Sequence, residues 1–507
     1  MDELAATQGL SFRHAIGLLA AIAVIYRLGL ILYRSYFDPL SKFPGPKLYA
    51  ISYLPYILRN NVYGTFYNDV KKLHDKYGPI VRISPNRISM DGSIAWQAVF
   101  ARRPNQPEFG KYAPFYKSHG DVVGIFSAPR EQHRLQRRIM GHAFSEAALR
   151  EQWHLIKRYV DLLMMRFGEL ADADKPANVT RWYNYFTFDV MGDLAFADPF
   201  NSLEAGNFHP WIAMIFSSVT TLSRLHLIRQ YPILRPFLGL LVNMEDLKRA
   251  AEHESLTVNK AEKRIAMGTA TDRKDFMSYI LQRNSGEKQA MSHRDLLTNA
   301  EGFIVAGSET TGTALCGTTY LLGRNRRAYD SLVSEIRNAF TTEEEIDMIS
   351  TAKLVYLHAC LEEGMRLYPP AVETPPRISP GDYLNDDLYI PKGTMVSVHQ
   401  WATYRSAANF TDPETFAPQR FLPPTHPLYE EKYASDNKKA FRPFSAGPRD
   451  CIGKNLAYAE MRVVMARMLW NFDFELAPGQ AGWMTNQQVL NIFKKPDLNV
   501  KFTRVSR

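Results

Sequence analysis

The stretch Phe441-Arg-Pro-Phe-Ser-Ala-Gly-Pro-Arg-Asp-Cys-Ile-Gly-Lys-Asn-Leu-Ala457 is the most specific pattern in the chain. Its Pro- and Gly-rich first half predicts a loop, and the apolar residues of the segment 454–470 recur at the three-to-four spacing of a buried helix. Cys451 therefore lies close to a predicted helix N-terminus. Unpaired backbone N–H groups and the positive end of the helix dipole favour a thiolate there, which is the form of cysteine that binds metal.

The residues around Cys451 suit a metal that is held in a flat macrocycle. Gly447 and Gly453 allow a close approach of the backbone and turn conformations that other residues avoid. The planar guanidinium of Arg449 suits a carboxylate such as a propionate, and Phe444 could keep water from the sulfur. The alternative is an ordinary turn before a core helix, with an inert buried cysteine.

The full pattern Phe444-x-x-Gly447-x-Arg449-x-Cys451-x-Gly453 resembles the haem-binding loop of the cytochrome P450 family. The resemblance implies haem b, iron protoporphyrin IX, with Cys451 as the axial ligand of the iron. It also implies a mainly α-helical fold with a small β-sheet part (α+β), the cytochrome P450 fold. In such proteins the axial thiolate pushes electron density onto the iron and favours O–O cleavage.

Composition excludes several other classes of protein. Apolar residues make up 46% and charged residues 22% of the chain, as in globular proteins with a large core. The three cysteines, Cys316, Cys360 and Cys451, are too few for a disulfide framework and suit a reducing compartment. Lys and Arg (61) exceed Asp and Glu (52), but no basic run interleaved with aromatic residues indicates nucleic acid, so an acidic protein or a membrane is the expected partner.

Residues 15–33 form an apolar run whose only charged member is Arg27, close to the roughly 20 residues that a helix needs to cross a bilayer. We expect a transmembrane anchor there, after a short lumenal N-terminus (1–14) and before a basic, proline-containing hinge (34–47). The alternatives are a cleavable signal peptide and a buried core helix. The remainder, 48–507, is the expected haem-thiolate catalytic domain.

The distribution of basic residues around the run predicts its orientation. Arg13 alone precedes the run, whereas Arg34, Lys42 and Lys47 follow it, so the positive-inside rule keeps the catalytic domain in the cytosol. The expected location is the endoplasmic reticulum membrane, with a single pass. Two glycosylation sequons, at Asn178 and Asn409, should then be bare.

Secondary-structure signals predict a helical body with a small sheet part. The segment 80–90 alternates around Pro85-Asn86 as a hairpin does, residues 93–338 are predominantly helical, and a second β signal lies at 387–398. The apolar stretch 231–241 contains two prolines and is therefore poor material for a core helix. In the family a loop of this region enters the membrane; a loop packed on the body is the alternative.

A second motif interrupts a helix predicted over 292–322. Ala306-Gly-Ser-Glu-Thr-Thr-Gly312 places glycines and hydroxyl residues in an otherwise apolar helix, a local violation of the kind that often marks a functional site. A crossing of two helices at small residues is the alternative. The segment resembles the oxygen-activation motif of the same family, and the match makes Thr310 and Glu309 the catalytic candidates, with Thr310 assisting proton delivery and Glu309 supporting it.

Further matches imply residues that stabilise the fold and bind the cofactor. Glu363 and Arg366 share a helix face, and the family pattern adds Arg420 from Pro418-Gln-Arg-Phe421 to form a buried triad. Arg137, in a segment where His133 takes the place of the family's tryptophan, and Arg377, in Pro375-Pro-Arg377, match positions that bind haem propionates.

The resemblance implies a monooxygenase that inserts one oxygen atom from O2 into a hydrophobic small molecule, by hydroxylation or epoxidation. Segments 142–145 and 184–196 look like those of filamentous-fungal enzymes that oxidise terpenoid, polyketide or alkaloid intermediates of secondary metabolism. Electrons would come from an NADPH-cytochrome P450 reductase, with cytochrome b5 as a further donor. The alternatives are a haem-thiolate isomerase or dehydratase without oxygen activation and a non-catalytic haem-binding membrane protein. Candidate reductase-docking residues are Arg134, Arg138, Lys438, Lys439 and Lys454.

Overall fold

The structure is a computed structural model that describes residues 2–104, 106–116, 124–237, 239, 243–269, 272–385, 387–485 and 487–506. Helices dominate it, as the sequence predicts. The α-helices are α1 (Asp2–Leu32), α2 (Lys47–Ile51), α3 (Leu54–Ile57), α4 (Phe66–Tyr77), α5 (Gly92–Ala95), α6 (Ala113–Tyr116), α7 (Arg130–Met140), α8 (Glu146–Asp172), α9 (Val179–Phe196), α10 (Ser202–Ala205), α11 (Pro210–Gln230), α12 (Met244–Ala266), α13 (Phe276–Ser285), α14 (His293–Arg324), α15 (Arg326–Ala339), α16 (Val355–Leu367), α17 (Gln400–Tyr404) and α18 (Lys454–Asn471).

Short helical turns connect several of these helices. The wider, π-type turns are Tyr33–Phe37, Leu58–Val62 and Trp96–Phe100. The tighter, 3-10 turns are Gly141–Phe144, Pro232–Phe237, Glu343–Glu345, Thr351–Lys353, Pro418–Phe421, Glu431–Tyr433, Lys438–Ala440, Gly447–Arg449 and Gln480–Gly482.

The described strands form four small sheets. Their bounds are β1 (Ile80–Ser84), β2 (Arg87–Met90), β3 (Gly110–Lys111), β4 (Ala177–Asn178), β5 (Arg377–Ile378), β6 (Asp382–Tyr383), β7 (Tyr389–Ile390), β8 (Met395–Ser397), β9 (Phe472–Leu476), β10 (Gln488–Leu490), β11 (Ile492–Lys494) and β12 (Asn499–Arg504). The largest sheet has the order β1-β2-β8-β5-β3, and only its β2–β8 pair is parallel. The predicted hairpin is β1–β2, and the signal at 387–398 supplies two strands of different sheets, β7 and β8.

The apolar N-terminal run is helical and has no buried residue. The segment His14–Phe37 contains an 18-residue window with a mean hydropathy of 2.3, and it is the one helix in the described part of the chain that is long and apolar enough to cross a membrane. The helix extends beyond both predicted bounds of the anchor, since it begins at Asp2 and ends in the turn Tyr33–Phe37.

The predicted hinge is held against the sheet rather than free. The Arg82 side chain donates to the Arg34 carbonyl (2.9 Å) and pairs with Asp38 (3.1 Å). The Arg82 backbone N–H donates to the Pro44 carbonyl (2.7 Å), and a side chain at Gly45 would overlap the Arg82 carbonyl. Glycine is thus required at Gly45 by the close approach of two backbones.

Helix α14 is the centre of the main hydrophobic core. Ser292 caps it and forms a capping box with Asp295, as the sequence predicts. The helix packs on α9, α16 and α18, and its second half, from Thr311 to Leu322, is buried throughout. A helix that is apolar on every side lies inside a protein, so α14 runs through the core rather than over the surface.

The two sequons have structural roles in the folded chain. Asn409 is 5% exposed, and its amide donates to both carboxylate oxygens of Asp91 (3.1 and 3.0 Å). The Asn178 side chain caps α9 by accepting from the Arg181 N–H (3.4 Å). The amide of Asn409 is therefore not accessible to modification once the protein has folded.

Candidate active site

Cys451 lies at the end of a loop that its own backbone closes. The Cys451 N–H donates to the Phe444 carbonyl (2.9 Å), and Ser445 between them adopts a left-handed conformation with φ 65°. The turn Gly447–Arg449 and the start of α18 at Lys454 fix the two sides of the loop. This arrangement leaves the cysteine accessible to solvent, whereas Cys316 and Cys360 are buried.

The two glycines of the loop, Gly447 and Gly453, are surrounded differently. Gly447 has φ 78°, and a Cβ there would overlap the Phe100 carbonyl and lie 2.9 Å from the Ala101 Cα. At Gly453 the nearest atom to such a Cβ is the Cys451 sulfur, at 4.0 Å. Gly447 therefore serves the turn and its packing on a neighbouring backbone, and its role at a cofactor face stays a prediction. Gly453 leaves the side of the sulfur open to a flat group.

The helix terminus was expected to lower the pKa of the Cys451 thiol, but in the protein without a bound metal the net shift is upward. Burial by the surrounding protein raises the pKa of the Cys451 thiol above its ordinary value, although solvent still reaches the residue. The Gly453 backbone N–H and the charges of Arg137 and Lys454 lower this pKa, but by less than desolvation raises it. A coordinating metal ion deprotonates a thiol outright, so ligation at Cys451 does not depend on a depressed pKa.

The ring of Phe444 is packed where it can cover the cysteine loop. Phe444 is half-buried, and its ring centroid lies 4.9 Å from that of Tyr458 on α18. The Tyr458 hydroxyl donates in turn to Glu362 on α16. This contact connects the loop to the helix that carries the predicted ion-pair triad.

Two of the predicted propionate-binding arginines share one carboxylate. The Arg449 side chain donates to Glu108 (2.6 Å) and to the Ala128 carbonyl (2.8 Å). Arg377 lies 3.8 Å from the same carboxylate and places its guanidinium over the Phe100 ring, 5.2 Å from the centroid. Glu108 is therefore part of the site, although no motif in the sequence points to it.

Arg137 approaches the cysteine loop from α7. Its guanidinium donates to the Asp450 carbonyl (2.5 Å) and to the Asp450 carboxylate (2.7 Å), directly beside Cys451 in the chain. The predicted helix containing His133 and Arg137 thus lies against the loop. The three arginines are brought to one region by contacts with Glu108 and Asp450.

Two further basic groups of this region, Lys111 and His133, have lowered pKa values, first because of burial and then because of nearby arginines. Burial and the neighbouring Arg377 and Arg449 lower the pKa of Lys111 to about 6. Burial and the charge of Arg449 lower the pKa of His133 to about 3. Lys111 of β3 lies opposite Arg377 of β5 in the antiparallel strand pair, so the two residues are neighbours because the strands pair. Sequence reasoning therefore missed Lys111.

These residues fit a metal macrocycle that carries carboxylates. Three cationic side chains, Arg137, Arg377 and Arg449, surround two carboxylates in this region. Lys111 beside them has a lowered pKa, so an additional anion would stabilise its charged form. Within the described residues, no three His, Cys, Asp or Glu side chains are placed to hold a metal ion. A metal at Cys451 would thus take its other ligands from outside the protein, as the iron of haem does.

The glycines of the second motif pack against a helix. A Cβ on Gly307 would lie 2.5 Å from the Met191 sulfur, and one on Gly312 would lie 2.6 Å from the Asn184 side-chain oxygen, both on α9. The alternative considered for this motif, a crossing of two helices at small residues, is correct for these glycines. The prediction that they admit a flat cofactor is wrong, because α9 occupies that side of each.

Thr310 lies on a different side of α14. It is exposed, as are Gly302 and Ala306 at intervals of four residues, and its hydroxyl donates to the Ala306 carbonyl (2.6 Å). Ser308, Glu309 and Thr311 are buried. We call the side marked by Gly302, Ala306 and Thr310 the open face of α14.

Glu309 is engaged away from the open face. Its carboxylate forms an ion pair with Lys495 and accepts from the Thr313 hydroxyl (3.3 Å). Burial raises the pKa of the Glu309 carboxyl, and Lys495 and Thr313 lower it. Lys495 follows β11 near the C-terminus, and its contact with α14 has no signal in the sequence.

Helix α18, which follows Cys451, packs directly on α14. Glu460 of α18 is 1% exposed and has no hydrogen bond to either carboxylate oxygen within the described residues. Burial raises the pKa of Glu460 to about 8, and the nearby Thr311 hydroxyl of α14 lowers it. The helix after the cysteine loop therefore meets α14 within the second motif.

The triad residues meet in a buried ion-pair cluster. Arg366 donates to both oxygens of Glu363 (2.7 and 2.8 Å), and Arg420 donates to the same carboxylate (3.1 Å). All three side chains are at most 1% exposed. Asp436, which the sequence did not indicate, pairs with Arg420 on the opposite side. The cluster joins α16 to the segments that lead to the cysteine loop.

Comparison with known proteins agrees with this arrangement. The sequence profile of the family described as "Cytochrome P450" matches residues 44–502. A cytochrome P450 monooxygenase of Hormonema carpetanum is 37% identical over 494 residues, 96% of each chain. The trichothecene C-15 hydroxylase of Fusarium sporotrichioides is 38% identical over 479 residues, 94% of this chain and 95% of the hydroxylase. The averantin hydroxylase of Dothistroma septosporum is 38% identical over 482 residues, 94% of this chain and 89% of that enzyme.

These matches confirm the resemblance seen in the cysteine loop and the fold expected from it. They extend over nearly the whole chain, and the relatives are monooxygenases of fungi. The chain belongs to the cytochrome P450 family and is a monooxygenase that binds haem iron.

Proposed function

We propose that this monooxygenase inserts one oxygen atom from O2 into a hydrophobic small molecule, by hydroxylation or epoxidation, in fungal secondary metabolism. The observation that carries the proposal is the accessible Cys451 beside a cluster of cations that exceeds its carboxylates in number. Haem b would be held with Cys451 on the iron and with its propionates at Arg137, Arg377, Arg449 and Lys111. When bound, it supplies the activation of dioxygen.

Thr310 and Glu309 are the residues that we propose for proton delivery. The Thr310 hydroxyl is on the open face of α14, where it already holds its proton in a hydrogen bond to the Ala306 carbonyl. It can release this bond and donate toward the open face without disturbing the fold, because the acceptor is a carbonyl of its own helix. Glu309 is the nearest acid in sequence that could restore the proton.

The substrate class follows from the character of the open face and from the relatives. Small residues, Gly302 and Ala306, leave room there, and the neighbouring Phe303 and Val372 belong to the apolar core. We propose that the substrate pocket draws on Phe303, Ala306, residues near Val372 and the segment 112–126, of which 117–123 lies outside the described residues. Two relatives are named for hydroxylation of averantin and of a trichothecene at C-15. We therefore propose a terpenoid, polyketide or alkaloid intermediate as substrate.

The electrons would come from NADPH through an NADPH-cytochrome P450 reductase, with cytochrome b5 as a second candidate donor. The contact of Arg137 with Asp450 places α7 beside the cysteine loop. The α7 residues Arg134 and Arg138, and the residues Lys438, Lys439 and Lys454 around the loop, are exposed. We propose that an acidic partner binds these cations, replacing the ion pairs of Arg134 with Glu131 and of Arg138 with Glu287.

Membrane attachment would use the N-terminal helix and a second apolar surface. Ile233 is 82% exposed, and its neighbours Tyr231 and Leu234 pack on the same hydrophobic cluster as Tyr49 and Tyr53, which follow the anchor. This placement supports the prediction that the 231–237 turn touches the membrane; the side chain of Phe237 lies outside the described set. We propose a single pass over 15–33 in the endoplasmic reticulum, with the 1–14 segment lumenal and the catalytic domain cytosolic.

The decisive experiment is the absorption spectrum of the reduced, carbon-monoxide-bound protein, with Cys451→Ala as the control. We expect a strongly red-shifted Soret band that the variant loses, because the thiolate ligand produces the shift. Reconstitution with reductase, NADPH and a panel of fungal secondary metabolites then tests oxygen insertion. A band typical of histidine ligation would refute the ligand assignment. Product formation without NADPH would indicate an isomerase or dehydratase instead.

A further inference from the structure

Glu108 is the carboxylate on which the buried arginines beside the cysteine loop converge. The Arg449 Nε–H donates to Glu108 Oε1 (2.6 Å), and Arg377 Nη1 lies 3.8 Å from the same oxygen. The other oxygen, Oε2, lies 3.8 Å from Arg130 Nε. The side chains of Arg449 and Arg377 are 6% and 7% exposed, whereas that of Glu108 is 31% exposed. Two buried guanidinium groups thus share one partly exposed counter-ion.

The backbone that carries Glu108 is fixed by its neighbours. Phe109, the next residue, is 1% exposed and belongs to the same core cluster as Phe100. Strand β3 follows at once and pairs with β5, which begins at Arg377. The Arg377 guanidinium lies over the Phe100 ring, 5.2 Å from its centroid. Core packing and strand pairing therefore place Glu108 beside the arginines, and the ion pairs form from that position.

Glu108 and one backbone carbonyl determine how the Arg449 guanidinium is oriented. Its Nε donates to Glu108 and its Nη1 donates to the Ala128 carbonyl (2.8 Å). Its Nη2 has no hydrogen-bond acceptor among the residues that the structure describes. A guanidinium is planar and its N–H bonds form a fixed fork, so two hydrogen bonds determine where the remaining N–H groups point. The Nη2 donors are therefore the ones that an anion from outside the protein can use.

Glu108 also limits the excess of positive charge in this region. Burial, followed by the charges of Arg377 and Arg449, lowers the pKa of Lys111 to about 6, and Glu108 acts in the opposite direction. A nearby negative charge stabilises the charged form of a cation, and a like charge destabilises it. Glu108 therefore offsets part of the field that Arg377 and Arg449 produce at neighbouring groups.

We propose that Glu108 is a positioning residue that directs Arg449 toward a haem propionate, and that its charge keeps the reduction potential of the haem iron below the value that the arginines alone would give. A negative charge near the haem favours the ferric form, which carries one more positive charge than the ferrous form. The proposal rests on the haem site proposed above and adds to it a residue that contacts the arginines rather than the cofactor.

The first test measures the midpoint potential of the full-length, haem-loaded protein by spectroelectrochemical titration, without reductase or substrate. In Glu108→Gln the charge is lost, but the amide oxygen can still accept from Arg449, so the potential should shift upward. The control is Glu169→Gln, because Glu169 of α8 pairs with Arg166 (2.8 Å) and should leave the potential unchanged. Equal potentials of Glu108→Gln and the parent would overturn the effect of the charge.

The second test measures transfer of haem from the protein to an excess of apomyoglobin. In Glu108→Ala, Arg449 loses an acceptor, so haem should dissociate roughly tenfold faster than from the parent, as when the support of a direct ligand is removed. In Glu108→Gln the acceptor remains and the charge that opposes a propionate is gone, so haem should dissociate no faster than from the parent. A Glu108→Ala rate equal to that of the parent, or a Glu108→Gln rate equal to that of Glu108→Ala, would overturn the positioning role.

The carbon-monoxide spectrum of the parent separates this proposal from the proposed function. A parent without the thiolate-type band refutes the proposed function, whatever the variants do. A parent that has the band, and whose potential and haem transfer are unaffected by both Glu108 variants, refutes the role of Glu108 alone. Poor haem loading of Glu108→Ala beside normal loading of Glu169→Ala is the loss that the positioning role predicts, and the potential of Glu108→Gln is then the independent test.

Discussion

Replacement of Glu363 by alanine should cost the protein much of its stability and most of its haem. Glu363 is fully buried and binds Arg366 through two hydrogen bonds and Arg420 through a third. Arg420 keeps Asp436 in the variant, whereas Arg366 keeps the carbonyls of Tyr404, Pro413 and Thr415 and the ring of Phe410, none of which carries a negative charge. One guanidinium is therefore left buried without a counter-ion.

Removing one partner of a buried ion pair costs roughly 3–5 kcal/mol. Because a folded domain is stable by only about 5–15 kcal/mol, this is a large share of the total. The Ala417 N–H also loses its acceptor in Glu363 (2.8 Å), which adds to the loss of stability. We expect a lower melting temperature and little haem-loaded protein on expression.

Glu131→Ala is the matched control for this variant. Glu131 and Arg134 also form an ion pair at i, i+3, but their side chains are 69% and 79% exposed. Such a pair contributes less than about 1 kcal/mol, so the control should melt and bind haem like the parent. The assays are thermal unfolding and the carbon-monoxide difference spectrum per mole of protein. Normal haem content in Glu363→Ala would refute the reasoning.

Further predictions concern the two loops, the membrane surface and one buried acid. Gly447→Ala should unfold the loop, because left-handed backbone strain of about 1–3 kcal/mol adds to an overlap with Phe100. Gly453→Ala should fold but lose haem affinity. Equal melting temperatures of the two variants would count against this prediction. Thr310→Ala should leave the melting temperature unchanged and divert NADPH to hydrogen peroxide, measured with reductase and a substrate; an unchanged peroxide yield would exclude Thr310 from proton delivery. Ile233→Gln should weaken vesicle binding of a chain that lacks residues 1–37, while Ile349→Gln, at another exposed isoleucine, should not; equal binding would remove this turn from the membrane surface. The folded-state pKa of Glu460 is raised to about 8, so its contribution to stability is lost as pH rises from about 5 to 8. The melting temperature of Glu460→Gln should therefore rise relative to that of the parent over that range. A constant difference in melting temperature would show that Glu460 does not titrate there.

The patterns that the sequence predicted well are local in the chain. The cysteine loop, the α14 capping box and the β1–β2 hairpin each lie within a short segment. In each of them a few neighbouring residues determine the backbone through glycine conformations, side-chain caps or alternation. The family pattern also named Glu363, Arg366 and Arg420, which the fold brings together, but it gave no indication of Asp436.

What required the tertiary structure is the set of partners that lie far apart in the chain. Lys495 reaches Glu309, Glu108 joins Arg449 to Arg377, and strand pairing brings Lys111 beside them. The same applies to Gly307 and Gly312, whose missing side chains make room for α9 rather than for a cofactor. The sequence by itself determined the family, the axial ligand candidate and the apolar anchor segment. Only the folded chain decided which charges face one another, since burial and Coulomb interactions depend on distances in space and not on spacing in the sequence.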